Sequence, residues 1–298
     1  MLELFKRNEV DMKKVIVEVG STNTKIDECN GKNAKRLDEL TIRFKGHYKE
    51  LGHIDQKDIE TLLSKVLELK KKYDDIFVCG TSIFRDLAKK EQNQFLKDFS
   101  SKTGLEFNII SQEQENELTV LGATRSVNSP ACVLVGGGGS TEISIVDKGI
   151  TEFKKTSFGV MDVMEAFSGL ANDIASTPLE TVIAFIEKRL NVPETKVDIL
   201  ILAGGGHEVF ARGSGIKYWD NTLYNDTAAP IMMDIETRKQ DTKEFFEKTS
   251  LETIKKKASN PDWWFATRAM CAFVLVVAEK IGAKYIVPTN MSMVYGLL

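Results

Sequence analysis

Val133-Leu134-Val135-Gly136-Gly137-Gly138-Gly139-Ser140-Thr141-Glu142-Ile143-Ser144-Ile145-Val146 is the stretch from which the rest of the chain can be read. Two apolar runs rich in β-branched residues flank four successive glycines. That is the pattern of a buried strand, a tight turn and a return strand alternating in and out. Glycines at the turn lack Cβ atoms, so a ligand could approach the backbone closely. Successive N–H groups then converge as a nest suited to phosphate, with the hydroxyls of Ser140 and Thr141 as further donors. An ordinary glycine hairpin is the plainer reading of the same residues. An earlier segment repeats the design: Lys13 to Gly20 reads as a strand entering Ser21-Thr22-Asn23-Thr24, and Thr24 to Asp27 as its return. Two Gly-Ser-Thr hairpins suggest an internal duplication. They make Gly20, Ser21, Thr22 and Asn23, with Gly137, Gly138, Gly139, Ser140 and Thr141, candidate phosphate-binding positions facing a shared cleft.

At 298 residues, 42% hydrophobic and 28% charged, the chain suits a soluble globular protein of about two domains. Its longest apolar run near the C-terminus, Met270 to Ala278, is far short of the ~20 residues that span a bilayer. The N-terminal residues lack the apolar core of a signal peptide, so no membrane association and a cytoplasmic location are expected. Cys29, Cys79, Cys132 and Cys271 are scattered without a CxxC pair and read as small core residues. His47, His53 and His207 are too dispersed for a histidine metal cage. A net charge of −3 argues against duplex nucleic acid as a partner, although a local basic groove can still hold a polyanion.

Between the hairpins, Asp55 to Tyr73 is a helix with Ile59, Leu62, Leu63, Val66 and Leu67 on one face. Asp74 to Gly80 is a buried strand, after which Thr81-Ser82 caps a turn holding Arg85 and Asp86. A helix from Gln92 to Lys102 closes at Gly104, a strand follows at Glu106 to Ile110, and Ser111 caps a helix from Gln112 to Thr124. Beyond the central hairpin, helices are expected at Met161 to Gly169 and from Pro178 to Leu190. A strand at Val197 to Ala203 leads into Gly204-Gly205-Gly206-His207 and a short helix to Arg212. Short helices at Asp241 to Lys248 and Ser250 to Ala258 precede the apolar helix Trp263 to Ile281, opened by Pro261, and a last strand at Tyr285 to Pro288. Helix–strand alternation of this kind is an α/β layer. The domains are expected at 1–125 and 126–298, with a hinge near Gly122 to Pro130.

The ordered set of motifs resembles the exopolyphosphatase and guanosine pentaphosphate phosphatase family, within the actin-like, hexokinase-like ATPase-fold superfamily. The matching stretches are Val17-Glu18-Val19-Gly20-Ser21, Gly80-Thr81-Ser82-Ile83-Phe84-Arg85-Asp86, and Ile109-Ile110-Ser111-Gln112-Glu113-Gln114-Glu115. Gly137 to Glu142, Phe158-Gly159-Val160 and Tyr295-Gly296-Leu297-Leu298 follow. The resemblance implies two actin-like (ribonuclease H-like) α/β domains with an interdomain phosphate-binding cleft, and a homodimer. It also implies water attack on the terminal phosphate of polyphosphate or of a phosphorylated guanine nucleotide. The family's catalytic carboxylate lands on Glu115, where a helix-start acid could orient and deprotonate water. Its cleft arginine lands on Arg85, whose planar fork can meet two phosphoryl oxygens; a surface ion pair with Asp86 or Glu113 is the plainer alternative. Magnesium is implied, held by Glu18 and Glu142.

The chain also departs from the family pattern. Glu18 stands for an aspartate, keeping the charge one methylene further out. Val135 and Gly136 replace the Asp-Ile of the second hairpin, and no acid lies between Cys132 and Gly139 to compensate. A second cleft arginine falls on Asp162 or its neighbours, and an asparagine on Lys89. Two readings follow: a phosphoanhydride hydrolase, or a catalytically weak polyphosphate- or nucleotide-binding sensor. A sugar or acetate kinase of the same superfamily is the third, weakened by the lack of an evident adenosine pocket beyond Gly204 to Gly206.

Overall fold

A computed structural model describes residues 14–31, 33–125, 127, 129–203, 219–220, 231–257, 264–289 and 292–298. The sequence features at Gly204 to Gly206, His207, Arg212, Pro261 and Trp263 lie outside these residues. The chain forms two compact units, Met1–Leu118 with Met293–Leu298, and Thr119–Ser292.

The first unit contains β1 (Lys14–Val19), β2 (Asn23–Asn30), β3 (Asn33–Thr41), α1 (Phe44–Leu51), α2 (Gln56–Lys70), β4 (Asp75–Gly80), α3 (Ile83–Asp86), α4 (Lys89–Thr103) and β5 (Phe107–Ile109). The division between the units falls inside α5 (Gln112–Thr124). Its sheet runs β3-β2-β1-β4-β5, an antiparallel meander followed by strands parallel to β1. Asp55 caps α2 by accepting from Lys57 N at 2.9 Å, and Leu62, Leu63, Val66 and Leu69 face the core. The expected face was one residue off at its end: Leu67 is exposed and Leu69 takes its place. Phe44, Phe84, Phe95, Phe99 and Phe107 form an aromatic cluster with ring centroids 4.8–6.1 Å apart. Gly80 has to be glycine, because a Cβ there would run into Phe107 and Phe84.

The second unit contains β6 (Ala131–Gly136), β7 (Thr141–Val146), β8 (Ile150–Thr156), α6 (Val160–Ala166), α7 (Leu179–Glu187), β9 (Ile199–Ala203), β10 (Trp219–Asp220), β11 (Ile231–Asp234), α8 (Ile235–Glu247), α9 (Leu251–Lys257), α10 (Thr267–Ile281) and β12 (Tyr285–Pro288). Its sheet runs β10-β11-β12-β9-β6-β7-β8. Read from the meander, β8-β7-β6-β9-β12 repeats the order β3-β2-β1-β4-β5, with β9 and β12 parallel to β6. The duplication suggested by the two hairpins is thus present in the topology. The α/β fold class stands, with one strand order repeated in the two units.

The apolar helix α10 is core: Ala269, Cys271 to Ala278 and Ile281 are buried within its own unit. Its apolarity is accounted for by the fold and calls for no second copy. Arg268, at the start of α10, is fully buried, and its guanidinium donates to five backbone carbonyls, those of Phe245, Leu170, Asn172, Asp173 and Thr249, at 2.6–3.0 Å.

The sequence reading assigned the C-terminus to the second domain, whereas α11 (Met293–Gly296) belongs to the first unit. Met293 packs with Cys79 and Ile110, and Val294 with Ile16 and Cys29. A Cβ at Gly296 would collide with the backbone carbonyl of Leu118.

Candidate functional site

In the first unit β1, β4 and β5 run parallel, with Val19 level with Gly80 and Gly80 level with Ile109. The backbone stays tied just past that level: Thr81 N donates to Val19 O at 3.0 Å and Ile110 N to Gly80 O at 2.9 Å. Gly20-Ser21, Thr81-Ser82 and Ile110-Ser111 therefore leave the sheet side by side, at the carboxyl edge where open α/β sheets bind ligands.

Phe84 fixes the middle turn. Buried against Phe44, Phe95 and Phe107, it anchors α3, so its neighbour Arg85 is held toward the third turn. Arg85 Nη1 donates to Ile110 O at 3.0 Å and to Glu115 Oε2 at 2.6 Å, and Nη2 donates to Gln112 Oε1 at 2.9 Å. The two residues singled out for chemistry, 30 positions apart, are in direct contact. Neither Asp86 nor Glu113 is the partner in this ion pair. These bonds use three of the guanidinium's five N–H groups and leave Nε–H and one Nη2–H to other acceptors. Glu115 sits in the first turn of α5, whose start is secured reciprocally: Gln114 N donates to Ser111 Oγ at 3.1 Å and Ser111 N to Gln114 Oε1 at 3.0 Å.

The first hairpin turn closes on itself, Gly20 N donating to Asn23 O at 2.9 Å, and a Cβ on Gly20 would press on that same oxygen at 2.9 Å. The carbonyls of Ser21 and Thr22 accept from Lys45 N and Ile42 N. Asn23 turns its amide to Glu39 Oε1 at 2.7 Å. Ser21 Oγ donates to Ser82 Oγ at 2.6 Å. Ser82 was expected to cap α3, yet its side chain makes no cap bond, and its backbone has φ 51 and ψ −109, a conformation L residues rarely adopt.

Glu18 lies on β1 with Oε1 3.7 Å from Lys25 Nζ, while Oε2 is buried without a hydrogen-bond partner. Burial pushes the Cys79 thiol well up, and the charges of Glu18 and Glu115 push it further, so both carboxylates act on one point in β4. A buried, unpartnered carboxylate oxygen suits a hard cation, and in this respect Glu18 fits the implied magnesium. Among the described residues no group of three or more His, Cys, Asp or Glu forms a metal cage. A magnesium ion on Glu18 would take its remaining ligands from substrate oxygens and water.

In the second unit the central hairpin folds as read, with Val135 opposite Glu142 and Gly136 opposite Thr141. The glycines serve packing more than ligand approach. A Cβ on Gly136 would meet Met270 Cε at 2.5 Å, and one on Gly159 would meet the carbonyls of Gly137 and Gly138 at 2.5 Å. Those carbonyls accept from Val160 N at 3.1 Å and Met161 N at 2.9 Å, which ties the loop to the start of α6. Gly137 N donates to Ser140 O at 2.8 Å. Gly138 would press on Met161, and Gly139 is open. Thr141 is buried and donates its hydroxyl to Phe158 O at 2.8 Å, so that proton is not offered to a ligand. Glu142 is 5% exposed, in register with Lys155 of β8. Asp162, where the family pattern places an arginine, accepts from Gly159 N at 2.7 Å and holds the same loop from the helix side.

Sequence reasoning missed Ser82 and Gln112 as contributors to the first-unit cluster. Gln112 carries no signal beyond its place after Ser111, and nothing in Thr81-Ser82 betrays the unusual backbone.

A sequence model of the Ppx/GppA phosphatase family matches residues 37–260. The sequence matches no curated protein. Among solved structures, the chain is similar to the Aquifex aeolicus PPX-GPPA enzyme at 19% identity, covering 96% of this chain and 98% of that one with a TM-score of 0.74. A second Aquifex aeolicus family structure gives 19% identity, 96% of each chain and a TM-score of 0.75. An exopolyphosphatase from Cytophaga hutchinsonii gives 12% identity, 96% of each chain and a TM-score of 0.70.

Proposed function

The chain belongs to the Ppx/GppA phosphatase family, and from that premise we propose that it is a phosphoanhydride hydrolase releasing terminal phosphate from inorganic polyphosphate or guanosine pentaphosphate. The observation that carries this is the 2.6 Å contact between Arg85 and Glu115 at the carboxyl edge of the parallel strands. Water attacks the terminal phosphorus. A new O–P bond forms as the bridging P–O bond breaks, the electron pair leaves with the shortened chain, and Glu115 takes the water's proton. Arg85 holds Oε2 of that carboxylate, which aims Oε1 at the water, while its unused N–H groups serve a phosphoryl oxygen. Positioning and charge neutralisation carry most of such a reaction. Gly20 and Ser21 line the approach, and Glu18 is the carboxylate proposed for magnesium, which when bound neutralises phosphoryl charge. In the second unit we propose Gly138, Gly139 and Ser140 as phosphate contacts and Glu142 as a metal-associated carboxylate.

Phosphate release from long-chain polyphosphate, guanosine pentaphosphate and ATP, each with and without magnesium, tests the proposal. Release from either of the first two substrates supports it. The sensor reading is favoured by Val135, which faces Glu142 across the hairpin where the family pattern has an acid. Tight polyphosphate binding with no turnover under any divalent metal would decide for the sensor.

A further inference from the structure

We propose that Ser82, and not Ser21, is the hydroxyl that donates to a phosphoryl oxygen at the first-unit edge, with Ser21 acting as the positioning residue that orients it. The inference rests on the phosphatase reading above and deepens it by naming a donor within the same cluster. A serine hydroxyl has one proton to give. Ser21 gives its proton to Ser82 Oγ across 2.6 Å, so the proton left to meet an anion is the one on Ser82. The bond also fixes one acceptor lobe of Ser82, which restricts where its own O–H can point.

The backbone supports the same assignment. Ser82 is half-buried and sits at φ 51, ψ −109. A non-glycine residue keeps such a conformation only where its surroundings over-determine it, and such residues concentrate at ligand clamps. Those surroundings are visible here. Thr81 N is tied to Val19 O, Arg85 N donates to Ser82 O at 2.9 Å, and Phe84 is locked among three other rings. If the turn were needed for shape alone, glycine would adopt it without strain. The side chain retained against that cost is a hydroxyl, on the same turn as Arg85 with its two uncommitted N–H groups. One short element thus presents a neutral and a cationic donor together, a combination suited to the terminal phosphoryl group of a phosphoanhydride.

The test measures tripolyphosphate affinity, kcat and KM with magnesium, together with Tm, for wild type, Ser82→Gly, Ser82→Ala and Ser21→Ala. Removing a donor to a charged oxygen should weaken tripolyphosphate binding about ten- to hundredfold in both Ser82 variants, with the loss in KM as well as kcat/KM. Ser82→Gly should also relieve the backbone and raise Tm by about 2–4 °C, which a merely structural serine would not combine with lost affinity. Ser21→Ala should cost less than about tenfold, since it removes the orienting bond and not the donor. Affinity within about threefold of wild type in both Ser82 variants, or a larger loss in Ser21→Ala than in Ser82→Ala, overturns the assignment while leaving the phosphatase reading in place. A wild-type protein that neither binds nor cleaves tripolyphosphate overturns both.

Discussion

Replacing Glu115 with glutamine removes the proposed base while leaving an oxygen for Arg85 to hold. The Arg85–Glu115 pair is partly open to solvent, with 19% and 29% of the two side chains exposed, so as an ion pair it contributes about 0–1 kcal/mol to folding. Arg85 keeps its bonds to Ile110 O and Gln112 in the variant, which limits the shift in Tm to about 4 °C. The catalytic effect is of a different size. General-base catalysis contributes about 10²–10⁴-fold, which at about 1.4 kcal/mol per decade is roughly 3–5 kcal/mol of barrier. Binding should move the other way, because the Arg85 charge loses its carboxylate partner and faces the polyanion uncompensated. The expected result of Glu115→Gln is therefore a drop of at least about a hundredfold in phosphate release, polyphosphate affinity equal to or tighter than wild type, and a nearly unchanged Tm. Steady-state phosphate release and equilibrium binding on one preparation give both quantities. Wild-type turnover in the variant would refute the assignment of Glu115 as base. Weakened binding would refute the charge argument.

Arg85→Lys should weaken every phosphate ligand despite keeping the charge, because an ammonium cannot bridge Ile110, Glu115 and phosphate as the planar fork does; unchanged polyphosphate affinity, titrated at low salt, would count against the cluster. Arg268→Met should lower Tm by roughly 6–12 °C, since five carbonyls, two of them on the buried residues Leu170 and Phe245, lose a buried charged donor at a cost of at least about 3 kcal/mol, and calorimetry showing a shift under about 2 °C would contradict this. The hydrogen bond from Lys65 holds the Asp38 carboxyl below its usual range, so its contribution is present above the unfolded value of 3.8 and lost as pH falls through the lowered folded one. Asp38→Asn should then cost up to about 1 kcal/mol in denaturant titrations at neutral pH, given an Asp38 side chain 41% exposed, and progressively less as the pH falls below 3.8; a cost that does not decline with pH would contradict the linkage.

The central hairpin was legible in the sequence because a run of β-branched residues broken by consecutive glycines leaves the backbone few alternatives, and β6 and β7 pair antiparallel across that turn. The strand β3 and helix α1 were not read. Asn33 to Thr41 is mostly polar and exposed, and becomes a strand only because β2 offers it an edge. Arg85 and Glu115 were each picked out by their motifs, but their contact was hidden, since it depends on which strand lies beside β4. The hydroxyl of Thr141 looked like a ligand donor until the fold placed Phe158 O against it. The glycine run invited a reading about ligand approach, while Met270 and the start of α6 account for much of it. Side-chain commitments of this kind belong to tertiary neighbours, and local pattern does not encode them.

The return of α11 to the first unit bears on how the protein is made. After Leu118 is added to the growing chain, Thr119 to Ser292 must be synthesised before Met293 and Val294 exist to cover Cys79, Ile110, Ile16 and Cys29. At bacterial-to-eukaryotic elongation rates of about 5–20 residues per second, that interval is roughly 9–35 s. Throughout it the first-translated sheet carries an uncovered apolar patch, while the later unit can close its own core around α10. The order of completion is thus the reverse of the order of synthesis, and the nascent first unit is the part of this chain with most reason to engage a holdase chaperone.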